Sequence, residues 1–118
     1  MNKLLFLLVL LLSACSPKPK PIEYGSDACD YCRMTVVDQQ HAAELVSSKG
    51  KAYKFDAIEC MVHYKREHDD REYALLLVND YLQKGELVPA EECTFLISPN
   101  IQAQWELFCL HLKKRKQP

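Results

Sequence analysis

Three sulfur-bearing side chains fall within six residues at Cys29-Asp30-Tyr31-Cys32-Arg33-Met34, and a second group follows at Cys60-Met61-Val62-His63. Thiolate and thioether donors are soft and polarisable, so a Cys-x-x-Cys-x-Met cluster selects soft ions such as Cu(I) over hard cations that prefer oxygen. Cys60 and His63 stand three apart on a predicted helix, where such positions share a face. The candidate metal ligands are therefore Cys29, Cys32, Met34, Cys60, Met61 and His63, with Cu(I) as the expected ion. Cys29-x2-Cys32 with Cys60-x2-His63 also has the spacing of a four-ligand structural zinc site, which keeps Zn as the alternative. A third reading is a thiol oxidoreductase built on Cys29 and Cys32. In such proteins, however, the motif opens a helix after a strand, and here β-branched residues follow it. His41 and His68, in polar surroundings, read as solvated. No side chain is assigned a catalytic role, and the chain is read as a binding protein rather than an enzyme.

Bringing the two sulfur groups together needs only a small scaffold. The 118 residues fit one domain, and 15 Lys+Arg against 16 Asp+Glu leave no electrostatic reason to expect nucleic acid as a partner. Met34 to Val37 is short and β-branched, Ala42 to Ser47 is a second extended candidate, and Ser48 to Lys51 reads as the turn into Ala52 to Phe55. Period-two alternation sends Tyr53 and Phe55 inward and Lys54 outward. A helix is predicted from Asp56 to about His68, opened by an Asp56/Glu59 capping box and burying Ile58, Met61 and Val62 in one stripe. Tyr73 to Val78 and Thr94 to Ser98 are further strands, with turns at Asn79-Asp80-Tyr81 and Lys84-Gly85. The expected class is α+β, a small mostly antiparallel sheet with one main helix, a ββαβ-type unit.

Ahead of this unit, Leu4 to Leu12 is an unbroken apolar run of nine residues. That is far short of the roughly 20 needed to span a bilayer as a helix, so it reads as the hydrophobic core of a secretory signal. It ends in Leu12-Ser13-Ala14-Cys15, which resembles the lipobox of bacterial lipoproteins. The resemblance implies cleavage before Cys15, lipidation of Cys15, and a location outside the cytoplasm, anchored to the inner or the outer membrane. Ser16-Pro17-Lys18-Pro19-Lys20-Pro21 cannot continue a helix and reads as an extended, semi-rigid spacer. The expected organisation is a signal peptide at 1–14, a proline-rich tether at 15–25, a metal-binding domain at 26–101 and a divergent basic tail at 102–118.

Cys29-Asp30-Tyr31-Cys32-Arg33-Met34, Lys54-Phe55-Asp56-Ala57-Ile58-Glu59-Cys60-Met61 and Phe95-Leu96-Ile97-Ser98 together resemble the NosL family of nitrous-oxide reductase accessory lipoproteins. The resemblance implies a membrane-anchored Cu(I) chaperone whose partner is nitrous-oxide reductase or its assembly machinery. It also implies ββαβ-type units akin to organomercurial lyase. The family's Cys-x-x-Cys-x-Met maps onto Cys29, Cys32 and Met34, and Arg33 stands where a glycine is usual. Glycine permits positive φ and arginine does so only reluctantly, so the loop is the place to look for a difference.

Beyond Ile101 the chain departs from the family, whose members usually continue with Ser-Pro-Met-Gly and a small-residue helix. Codons for Gln102-Ala103-Gln104-Trp105-Glu106 permit Ser-Pro-Met-Gly in a shifted frame, so 102–118 reads as a frameshifted extension. The other reading is a divergent amphipathic helix packing Trp105, Leu107, Phe108 and Leu112, with Lys113 to Lys116 as a basic patch for anionic lipid.

Overall fold

The computed structural model describes residues 2–11, 16–97 and 107–110. Helix α1 (Asn2–Leu11) takes in the described part of the apolar run, Leu4 to Leu11, and none of the described helices is long and apolar enough to cross a membrane. The sheet begins with a hairpin of β1 (Ala43–Ser47) and β2 (Ala52–Phe55) in antiparallel register, Leu45 opposite Tyr53. Gly50, at φ +89°, makes the left-handed turn between them. Helix α2 (Ile58–Glu67) follows, and β3 (Tyr73–Asp80) then returns antiparallel to β1.

From there β4 (Gln83–Pro89) folds back on β3, and a single 3-10 turn (Ala90–Glu92) leads to β5 (Thr94–Ile97). β6 (Leu107–Leu110) lies antiparallel to β5 and meets β3 in parallel at Asp80 and Cys109. The strand order is β2-β1-β3-β6-β5, with β4 also paired to β3. This is a small α+β fold with one main helix in the folded part, as the sequence leads one to expect.

The core lies between α2 and the sheet. Leu45, Phe55, Ile58, Met61, Tyr64, Val78 and Val88 are buried in one cluster, joined by Val36 and Ile22 from the segment before β1. Ile22 belongs to the stretch read as tether, and the Lys20 amide donates to Glu44 Oε1 at 2.7 Å. The end of the proline-rich segment is therefore docked on the domain, because one buried isoleucine and one buried acceptor hold it there.

Several local expectations change. Met34 to Val37 forms no strand beyond an isolated bridge between Ala28 and Thr35, because Val36 spends its amide on Asp27 O and its carbonyl on the Gly25 amide. Lys84-Gly85 is not a turn but part of β4; the chain reverses at Tyr81-Leu82, where the Asp80 carboxylate accepts the Leu82 amide. The capping box does not form. Ala57 is the N-cap without a side-chain bond, and Asp56, buried, takes the Val37 amide instead. The buried helical stripe is Ile58, Cys60, Met61 and Tyr64, while Val62 is exposed, so the helix is rotated towards the ring of Tyr64.

His41 is also not solvated. It is 3% exposed, with Nδ1 3.0 Å from Asp38 Oδ2 and its ring edge-on to Tyr81. His68 is half-buried and stacked on Tyr64. In the tail, a strand stands at Leu107–Leu110 where the divergent reading has a helix, and Cys109 is disulfide-bonded to Cys93. Cys15, Trp105, Leu112 and the Lys113 to Lys116 run lie outside the described residues.

Candidate metal centre

The segment from Gly25 to Val36 is a loop pinched shut at its base, with Cys29 to Met34 at its tip. The Cys29 amide donates to Met34 O at 2.8 Å and the Arg33 amide to Cys29 O at 3.0 Å. Closing a ring this tight requires a left-handed residue, and Arg33 supplies it at φ +68°. It is the one non-glycine residue with positive φ among those described. An arginine side chain is thus carried on a left-handed backbone, the conformation that glycine adopts without cost.

The loop is fastened to β2 at three points. Asp30 N donates to Lys54 O, Lys54 N donates to Asp30 Oδ2, both at 2.8 Å, and Lys54 Nζ reaches Asp27 Oδ2 at 2.6 Å. β2 runs on through Asp56 into α2, so the same strand that grips the loop also delivers the first turn of the helix. Cys60 is on that turn and faces the loop. The result is a group of three thiols, Cys29, Cys32 and Cys60, whose Sγ atoms all lie within 4.8 Å of one another. All three are free, two of them buried and Cys32 half-buried.

That spacing suits a metal ion. Thiolates bonded at about 2.3 Å stand about 4.6 Å apart across a linear ion and about 4.0 Å apart around a trigonal one. The three sulfurs can therefore close on an ion by small side-chain adjustments. Their protonation is uneven. Burial pushes Cys29 up, but the amides of Asp56, Cys32 and Tyr31, with the Cys32 thiol, together hold it below the ordinary thiol value. Cys32 is raised by burial and by its neighbour Cys29, against the Met34 amide. Cys60 is raised well beyond it, by burial and then by the charge of Cys29 and Cys32. Of the three, Cys29 is therefore the sulfur whose charged form the protein favours most, and binding a soft cation releases the protons the cluster carries.

The other sequence candidates fall around this group. Met34, at the tip of the loop, is 53% exposed. Met61 is buried in the core cluster. His63 is exposed on α2 and lies outside the 4.8 Å group, its ring stacked on Tyr31 with centroids 5.5 Å apart and planes 13° from parallel. Sequence reasoning missed Tyr31 and the Asp56 amide as parts of the site; Tyr31 was in view inside the motif, whereas nothing in the spacing marks a backbone N–H.

Comparison with protein families matches residues 21–104 to the family model described as NosL. The chain belongs to the NosL family. No curated protein and no solved structure matches it significantly. The NosL match takes in the whole pinched loop, α2 and the sheet through β5, and ends before β6. Membership points to a copper-related accessory function, and the Cys29, Cys32 and Cys60 cluster is a group able to hold a metal ion.

Proposed function

We propose that this NosL chain is a Cu(I) chaperone, held outside the cytoplasm by a lipid on Cys15, that hands copper to nitrous-oxide reductase or its assembly machinery. The observation that carries the reading is the set of three convergent free thiols within 4.8 Å, in a member of that family. Soft thiolates favour Cu(I), and the amides around Cys29 favour its charged form. Exchange also needs an approach. Cys32 is half-buried beside the exposed Met34, so an acceptor's sulfur has a route to the ion that Cys29 and Cys60 do not offer. Met34 is the natural additional soft donor, and Met61 a more remote one.

The address rests on the lipobox resemblance. With Lys20 and Ile22 docked, the free spacer shortens to Ser16 to Pro19, about 12 Å of extended chain, which would hold the thiol cluster close to the membrane.

A structural zinc site would enlist His63 as its fourth ligand, yet that ring is turned to Tyr31. The deciding experiment is a titration of the full chain, reduced and in detergent, with Cu(I) against a competing chelator. One tightly held Cu(I) per chain, weakened by Met34→Leu while zinc affinity stays unchanged, is the expected result. A chain indifferent to Cu(I) overturns the reading.

A further inference from the structure

Tyr31 occupies an unusual position for a residue between two ligands. Its ring lies flat against His63, and its hydroxyl reaches Glu67 Oε1 at 3.4 Å, so it spans one turn of the exposed face of α2. His63 is three residues after Cys60, close enough along the helix to join the three thiols if its ring were released. Three thiols and one imidazole make the tetrahedral set that Zn(II) prefers, whereas Cu(I) is satisfied by two or three sulfurs. The same ring contact therefore weighs differently on the two ions.

We propose that Tyr31 is a latch on His63 that tilts the cluster's metal selection away from four-coordinate ions. This rests on the reading of Cys29, Cys32 and Cys60 as a metal site. To recruit His63, zinc must first break the stack, and its apparent affinity falls by the population of unlatched molecules. Cu(I) leaves the stack intact and escapes that penalty. Tyr31 is thus a specificity-determining residue that never touches the metal. Its side chain is partly exposed, so replacing it does not hollow the core.

The test is a double-mutant cycle on the full reduced chain, with Tyr31→Ala, His63→Gln and the two combined. Zn(II) and Cu(I) affinities are each read by chelator competition, and coordination by the visible absorption of Co(II) used in place of zinc. Aromatic stacking of this kind is worth a factor of roughly three to ten, so Tyr31→Ala, which keeps the backbone amide facing Cys29, should raise zinc affinity by about that much and change Cu(I) affinity by much less. In the His63→Gln background the same change should give no gain. Tyr31→Phe, which keeps the ring and loses the Glu67 bond, should stay near the parent.

A flat cycle, a gain that persists without His63, or a Tyr31→Phe gain equal to that of Tyr31→Ala overturns the latch. The Cu(I) titration of the parent chain reads the chaperone function separately. Copper binding with a flat zinc cycle removes the latch alone, and a zinc cycle that behaves as stated without copper binding removes the chaperone alone.

Discussion

Five of the six cysteines fall into two groups that the fold treats in opposite ways. Cys29, Cys32 and Cys60 converge as free thiols, drawn together by a pinched loop and a helix turn and held by hydrogen bonds and one ion pair. Cys93 and Cys109 are joined covalently where β6 enters the sheet. The amides around Cys29 stabilise a thiolate, the form that binds metal. At the other end, Cys93 just before β5 and Cys109 within β6 are closed into a covalent pair that acts as a staple.

The largest effects should separate the two groups cleanly. Cys29→Ser removes the sulfur on which three amides converge, and Cu(I) affinity should fall at least about a hundredfold, since even outer-shell changes cost 10–100-fold. Its urea midpoint should move little. Cys109→Ser should do the reverse. The bond closes a segment with a sequence separation of 16, worth about 3 kcal/mol of stability in chain-entropy terms, while copper affinity stays where it was. Chelator competition and urea denaturation, run on both variants, check the pair. A Cys109→Ser chain that loses copper would join the two regions into one.

The metal group was largely legible in the sequence and the staple was not. Cys-x-x-Cys announces itself by spacing, and Cys60 stands out as a second soft donor on a predicted helix, although the stripe read from periodicity is Ile58, Met61 and Val62 and does not include it. The antiparallel sheet and the Tyr53/Phe55 face followed from alternation. The failures have physical causes. Asp56 was placed in a capping box because the local pattern allows it, but a buried acceptor goes to whichever amide tertiary packing presents, here that of Val37. Gly85 looked like a turn, yet glycine at φ +80° also sits within an irregular strand. The Cys93–Cys109 pairing depends on β6, whose sequence carries no family pattern, so the tail's part in the sheet had no signal to follow.

A smaller effect probes how the loop of the metal group is closed. Arg33 holds a left-handed conformation that costs a residue with a Cβ about 1 kcal/mol or somewhat more. Arg33→Gly should therefore stabilise the fold by about 1 kcal/mol in urea, less the extra chain entropy that glycine brings to the unfolded state. No comparable strain is present at Cys93 or its strand among the described residues, so the gain belongs to the loop. A loss of stability would mean that the arginine side chain contributes more than its backbone costs.

The smallest effect distinguishes the electrostatic fastening of the loop from the covalent fastening of the tail. Lys54 Nζ and then the Glu23 amide hold the Asp27 carboxyl below the usual carboxylate range. Because its folded value is depressed, the stability it contributes is present above the unfolded carboxylate value and is lost as pH falls through the folded one. Both partners are partly solvent-exposed, so the contribution is under about 1 kcal/mol. Asp27→Asn should accordingly be slightly less stable than the parent at about pH 7, with the gap closing at about pH 3. Glu44, which burial pushes up, works with the opposite sign in both chains and cancels in the difference. Urea midpoints at the two pH values measure the gap, and a gap that stays constant would mean that the Asp27 and Lys54 pair holds the loop by packing rather than by charge.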